Sequence, residues 1–271
     1  MRTFIKICIC MAVLAAWYIG GLYFMQDMFI YYPTKYYVSP QEADVPAFQE
    51  NTITAADGTE LRTWFAKGYN DKPAILFFHG NAWQNSAFAE QLMPLVDDGY
   101  TVLMMEYRGF GGTEGKLSQE TMYADVVTTF DWLKEQGYDK IVIYGYSLGC
   151  AAAVSLASQR AVDGLILTAP FASLYELVGQ KPVPFAQLVL KDHYPSDELI
   201  KTVKVPTLVV HGKKDRLIPY KHGQKIYDAS GTEDKQLFLL DESNHHSIYY
   251  KQENIPYIQT WLDEHFAQGN E

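Results

Sequence analysis

Ser147 sits at the centre of a five-residue turn, Gly145-Tyr146-Ser147-Leu148-Gly149. The turn lies between an apolar run, Ile141-Val142-Ile143-Tyr144, and a small-residue stretch, Cys150-Ala151-Ala152-Ala153-Val154. A buried strand, a tight turn and a helix with one serine at the apex form a nucleophile elbow. The serine is expected in strained backbone, and a side chain at Gly145 or Gly149 is expected to collide with the neighbouring strand or helix. A serine hydroxyl is a weak nucleophile near neutral pH. It needs a base within hydrogen-bond reach and an acid to orient that base. Asp215 lies just beyond the strand-like Thr207–Val210, in the loop His211-Gly212-Lys213-Lys214-Asp215. His245 follows the next strand-like run, Gln236–Leu240, through Asp241-Glu242-Ser243-Asn244. Nucleophile, acid and histidine, each past a strand and in that chain order, point to acyl transfer by a Ser-His-Asp triad.

His246 competes with His245 as the base. His245 is favoured because Ser243-Asn244 stands where a small-Gly pair would precede the histidine, and Asn tolerates left-handed backbone. His211 reads as a packed residue at a strand end, and His193 and His222 as exposed residues. An oxyanion needs fixed donors. The backbone N–H of Leu148 is one, at the start of the elbow helix. The second is expected in the loop His79-Gly80-Asn81-Ala82, at the N–H of Asn81, with Gly80 letting the backbone approach. His79 is expected to brace that loop by hydrogen bonding. The glycines of Glu106-Tyr107-Arg108-Gly109-Phe110-Gly111-Gly112 lack the Gly-Lys-Ser/Thr of a phosphate loop, so a tight turn with Arg108 tied to carbonyls or a carboxylate is expected. No Cys/His set has metal-ligand spacing, and the chemistry requires no cofactor. Cys150 is the one cysteine outside the first 25 residues and reads as a small buried apolar side chain.

These residues need a rigid sheet edge. Apolar runs at Ala74–Phe78, Thr101–Met105, Ile141–Tyr144, Leu165–Thr168, Thr207–Val210 and Gln236–Leu240 alternate with helical patterns. Continuous apolar strands are buried on both faces, and strict alternation predicts a doubly wound, mostly parallel α/β sheet. One helix, Ser118 to Gln136, places Met122, Val126, Phe130 and Leu133 on a stripe and stops at Gly137. Asp57-Gly58, between Ile53–Ala56 and Leu61–Ala66, predicts an antiparallel hairpin added at the edge. The Pro-containing stretch of about 171–204 is too long for an ordinary connection and is expected to form a small cap over the C-terminal ends of the strands. Its Phe171, Leu174, Leu177, Phe185, Leu188 and Leu190 line an apolar pocket or pack on the sheet.

The 271-residue chain is 48% hydrophobic, enough for one α/β domain at 26–271 plus an appendage at 1–25. A net charge of −10 argues against nucleic-acid binding. Ile7 to Met25 is uncharged and long enough to cross a membrane as a helix. Arg2 and Lys6 precede it, so the N-terminus is expected in the cytoplasm and the main domain on the outer, extracytoplasmic or periplasmic side. Trp17, Tyr18, Tyr23 and Tyr31-Tyr32 are candidate interfacial aromatics. A cleaved signal peptide is the rival reading, and an uncleaved anchor is preferred because the apolar run continues past Val13-Leu14-Ala15.

Five motifs in order resemble the serine α/β-hydrolase superfamily, and within it the membrane-anchored Bem46-like, ABHD-type group. They are Gln26…Ile30-Tyr31-Tyr32-Pro33, Phe78-His79-Gly80-Asn81-Ala82, Tyr107-Arg108-Gly109-Phe110-Gly111, the Ser147 elbow, and His211-Gly212-Lys213-Lys214-Asp215. The resemblance implies an eight-stranded sheet and hydrolysis of an ester or related acyl bond. It implies Ser147 as nucleophile, Asp215 as acid and His245 as base. Two departures stand out: Glu106 replaces an Asp, and Ser-Asn-His-His replaces Gly-x-His-Asn. The expected function is a carboxylic ester or thioester hydrolase acting on a small or lipid-like acyl substrate. A peptidase or amidase, or a non-catalytic membrane-tethered binding protein on the same fold, are the alternatives.

Overall fold

The computed structural model of the chain describes residues 1–69 and 71–266. Eight strands form the central sheet: β1 (Gln49–Thr54), β2 (Glu60–Ala66), β3 (Ala74–Phe78), β4 (Thr101–Met105), β5 (Ile141–Tyr146), β6 (Gly164–Thr168), β7 (Thr207–Gly212) and β8 (Lys235–Leu240). Their order is β8-β7-β6-β5-β3-β4-β2-β1. Strands β3 to β8 pair in parallel, whereas β1 and β2 form an antiparallel hairpin whose second strand pairs antiparallel with β4. This is the expected α/β-hydrolase sheet with an added edge. The hairpin starts earlier than its apolar pattern suggested. Gln49-Glu50-Asn51 belong to β1 because an edge strand exposes its polar side chains to water, which hides it from an apolar pattern.

Ten helices accompany the sheet among the described residues: α1 (Arg2–Ile30), α2 (Ala89–Asp97), α3 (Gln119–Glu135), α4 (Leu148–Gln159), α5 (Leu174–Gly179), α6 (Ala186–Val189), α7 (Ser196–Leu199), α8 (Lys221–Ala229), α9 (Ser247–Tyr250) and α10 (Ile255–Phe266). The strands β3 to β7 are buried along their whole length, and alternate side chains enter two separate cores. Leu76 and Phe78 join Met122, Val126, Phe130 and Leu133 of α3 and the small residues of α4 on one face. Ile75 and Phe77 meet Leu92 and Leu95 of α2 and Ile258, Trp261 and Leu262 of α10 on the other. α3 begins where its stripe predicted: Ser118 accepts from the Thr121 N–H, and Thr121 returns a bond to the Ser118 N–H. It ends before Gly137, whose φ of +89° suits a residue without Cβ.

Helix α1 has the length and apolar composition to cross a membrane, and none of its most apolar 18-residue window is buried. It does not stop with the apolar run at Met25 but continues five residues to Ile30. That last turn is built into the domain. Gln26 donates to the Val189 carbonyl at 2.9 Å and accepts from the Lys191 N–H at 2.7 Å, and Asp27 pairs with Lys116 at 2.5 Å. Tyr31, expected among the interfacial aromatics, is buried instead. Its hydroxyl bonds Asp192 Oδ2 at 2.6 Å and the Tyr194 hydroxyl at 2.7 Å, and this network is what draws the phenol out of water. Immediately after, Tyr32-Pro33 makes a two-residue parallel bridge with Ala82-Trp83, fastening the end of α1 to the loop that follows β3.

Candidate active site

The parallel strands deliver four loops to one edge of the sheet. Ser147 follows β5, Asp215 follows β7, His245 follows β8 and Asn81 follows β3. Ser147 has φ +55° and ψ −116°, a strained conformation for a residue with Cβ. The strain is held by packing. A Cβ on Gly145 would lie 2.4 Å from the Gly149 carbonyl oxygen, and one on Gly149 would lie 1.9 Å from that of Phe78. Strand β3, the elbow and α4 therefore approach as closely as backbone allows. The Ser147 N–H donates to the Thr168 carbonyl at 2.9 Å, tying the apex to β6.

His245 Nδ1 lies 2.7 Å from Asp215 Oδ2, and its Nε2 lies 3.0 Å from Ser147 Oγ. The structure thus brings together the three residues expected to act together. Both oxygens of Asp215 are engaged: Oδ1 accepts from the N–H groups of Leu217 (2.9 Å) and Ile218 (2.8 Å). Burial pushes its carboxyl pKa up. Hydrogen bonds to His211 and His245, the His245 charge and the Ile218 N–H outweigh burial and hold it well below the usual carboxylate value. An Asp215 that stays ionised fixes the proton of His245 on Nδ1 and leaves the Nε2 lone pair facing the serine O–H.

His246 is exposed at the rim of the site, its ring between those of His245 and Tyr250, and it makes no hydrogen bond to Ser147 or Asp215. The reason for the orientation differs from the one expected of Asn244, which does not adopt a left-handed φ. Its side chain caps α9 instead, accepting from the N–H groups of His246 and Ser247 at 3.0 Å each. The absence of a Cβ on Gly212 admits the Ser243 carbonyl, which accepts from the Lys214 N–H at 2.9 Å, so the acid and histidine loops are knitted together.

His211 is packed as expected. Its Nε2 donates to the Ile218 carbonyl at 2.9 Å and lies 3.4 Å from Asp215. His193 is exposed, but His222 is not: it is buried at the start of α8, where Nδ1 accepts from the Ala172 N–H at 3.3 Å and Nε2 lies 3.2 Å from Gln180 Oε1. The segment between β6 and β7 covers it. His79 braces its loop through Gly80 O (2.7 Å) and Glu106 Oε1 (3.0 Å), and Glu106 also accepts from the Asn85 N–H. Arg108 bridges Asp125 and Asp57, joining α3 to the hairpin turn. Cys150 is buried, which pushes its thiol pKa well up. No metal-binding cluster occurs among the described residues.

Asn81 and Leu148 both line the cavity that contains Ser147, about 730 Å³ including its open mouth. The Asn81 side chain donates to the Ile30 carbonyl at 2.7 Å and its own carbonyl accepts from the Tyr32 N–H, so the loop is held from the far side by the end of α1. Gly80 is not needed for room: a Cβ there would make ordinary contacts, 3.5 Å from the Tyr146 ring. Phe171, Leu174 and Leu177 line the same cavity, together with Phe29 and Ile30 from the end of α1 and Tyr32 just after it. Leu190 lies further out, and Phe185 and Leu188 are exposed rather than in the pocket, because α6 turns them away from the sheet.

A family model described as serine aminopeptidase S33 matches residues 69–199 and 196–251. The chain belongs to this family of α/β-hydrolases. An uncharacterised protein of Mycobacterium tuberculosis is 34% identical over 241 residues, covering 86% of this chain and 85% of that protein. The lysophosphatidylserine lipase ABHD12 of Danio rerio is 27% identical, covering 86% of this chain and 70% of that protein. The structure of the Pyrococcus furiosus esterase Pf2001 has the same fold, with a TM-score of 0.70 at 18% identity over 87% of this chain and 100% of that one.

One residue that shapes the site of this hydrolase escaped the sequence reading. Tyr146, the variable position of the elbow, donates its hydroxyl to the His245 carbonyl at 2.8 Å and stacks on Tyr249 with ring centroids 4.6 Å apart. Burial raises its pKa, so it remains a donor. An aromatic at that position was the available signal. Its partner, 99 residues away, was not.

Proposed function

We propose that this hydrolase is a serine esterase that cleaves a carboxylic ester or thioester of a lipid-like acyl substrate through an acyl-enzyme. The observation that carries the reading is the hydrogen-bonded row Asp215–His245–Ser147, at 2.7 and 3.0 Å, opening into an apolar cavity. His245 Nε2 takes the proton of Ser147 as Oγ attacks the acyl carbonyl, and Asp215 stabilises the imidazolium. The Leu148 and Asn81 N–H groups receive the oxyanion, a contribution worth roughly 10²–10³ in rate for each donor. His245 then returns its proton to the departing alcohol. A water attacks the acyl-enzyme with His245 again as base, the acid leaves, and Ser147 regains its proton. Residues 26–271 form the catalytic unit with 171–204 as its cap. α1 holds it at the outer face of a membrane with the N-terminus in the cytoplasm.

The family description makes amide cleavage the second reading. A free peptide N-terminus would need an anionic partner. Among the residues lining the cavity the only charged one is Lys181, whose sign repels an ammonium. The lipase activity in the name of the Danio rerio relative supports the ester reading. The test is a fluorophosphonate probe with p-nitrophenyl esters. The wild type is expected to be labelled at Ser147 and to turn over ester, and Ser147→Ala to do neither. Retained turnover in Ser147→Ala overturns the assignment.

A further inference from the structure

Beside the cavity at Ser147 lies an outer groove of about 820 Å³, its open mouth included, between α1 and the α5–α6 segment. Phe29, Ile30, Val178 and Lys181 wall both spaces. The outer groove adds Leu22 and Gln26 from α1 and Val183, Ala186, Val189 and Leu190 from the cap. Leu22, Gln26 and Phe29 recur at the spacing of one helical face. The Gln26 amide offers nothing polar to an occupant, because its nitrogen serves the Tyr23 and Val189 carbonyls and its oxygen the Lys191 N–H.

The same segment is out of place in water. Pro182 to Leu190 carries no charge and is bracketed by Lys181 and Lys191. Val183, Phe185 and Leu188 are 42%, 58% and 75% exposed. The Tyr18 hydroxyl donates to the Pro184 carbonyl at 3.1 Å. Tyr18 lies seven residues before Met25, the end of the apolar run, so at 1.5 Å per residue Pro184 sits at a depth of about 10 Å along α1 from that end.

Resting on the esterase and anchor readings above, we propose that the Pro182–Leu190 tip inserts into the same leaflet as the C-terminal half of α1. The groove between them then admits the acyl chain of a bilayer lipid sideways to Ser147. If residues 7–25 of α1 cross the hydrocarbon, a loop bonded to Tyr18 shares that depth, and its exposed apolar side chains meet lipid rather than water. The chain end lies between α1 and α6, and the ester carbonyl reaches Ser147 without the substrate leaving the membrane. α1 is then one wall of the binding site as well as a tether.

Full-length protein reconstituted in phosphatidylcholine vesicles is assayed with p-nitrophenyl acetate in water and p-nitrophenyl palmitate in the bilayer. Ala186→Trp fills the outer groove at a position outside the Ser147 cavity. It is expected to lower the palmitate-to-acetate ratio of kcat/KM about tenfold. Leu188→Asp, on the exposed tip and outside both cavities, is expected to lower the same ratio by about the same factor by keeping the tip out of lipid. An unmoved ratio in both variants, or an equal loss on both esters, overturns the groove while leaving the esterase reading intact. A wild type inert toward both esters removes the esterase reading and this proposal with it.

Discussion

The elbow edge of the sheet and the groove between α1 and α6 lie in neighbouring cavities that share a wall, yet they are built by opposite rules. At the elbow, backbone meets backbone with no room for a methyl group, and each atom of the Asp215–His245–Ser147 row has a partner. By contrast, the tip at Pro182–Leu190 leaves Phe185 and Leu188 more than half exposed. Chemistry needs donors and acceptors fixed before the transition state forms, which only dense packing provides. Accommodating a flexible apolar chain needs surface and shape, which a looser wall supplies.

The comparison breaks most visibly at the histidines. His245→Ala is expected to lower kcat/KM by about 10⁴-fold or more, whereas His246→Ala, its exposed neighbour, stays within about twofold. Steady-state kinetics on a short ester decides this, and the reverse pattern would exchange their roles. A smaller effect separates the two walls by stability. Gly149→Ala forces a Cβ onto the Phe78 carbonyl and is expected to cost about 3 kcal/mol. Leu188→Ser, on the exposed tip, is expected to change stability by less than about 0.5 kcal/mol. Thermal unfolding in detergent compares them, and equal shifts would remove the distinction. The smallest effect concerns pH. Because the folded pKa of Asp215 is depressed, its contribution to stability is complete above its unfolded value of about 3.8 and is lost as pH falls through the folded value. The Tm advantage of wild type over Asp215→Asn is therefore expected to shrink between pH 7 and pH 3. A gap that does not change with pH would show that the carboxylate is not held by these bonds.

What could be read from the sequence follows the same division. The elbow was legible because its chemistry permits few residue types at fixed spacing, and because β5 and α4 announce themselves by apolar and small-residue runs. Asp215 and His245 were legible as loop residues after strands. Interactions closed by distant side chains were not. His222 reads as a surface residue among Lys221, Gln224 and Lys225, but the segment between β6 and β7 folds over it and supplies Ala172 and Gln180. Tyr31 reads as an interfacial aromatic until Asp192 and Tyr194 arrive from 161 and 163 residues away. The extension of α1 to Ile30 was hidden for the same reason. Gln26 and Asp27 look like the end of an apolar helix, and their partners Val189, Lys191 and Lys116 come from the domain.

The central claim is that Ser147 Oγ forms a covalent acyl intermediate. Rapid mixing with p-nitrophenyl acetate, acid quench and peptide mass analysis test it most directly. The account predicts a p-nitrophenol burst of one equivalent per active site, with an acetyl adduct on the peptide that contains Ser147. Turnover with no burst and no adduct, or an adduct on a different residue, would contradict it.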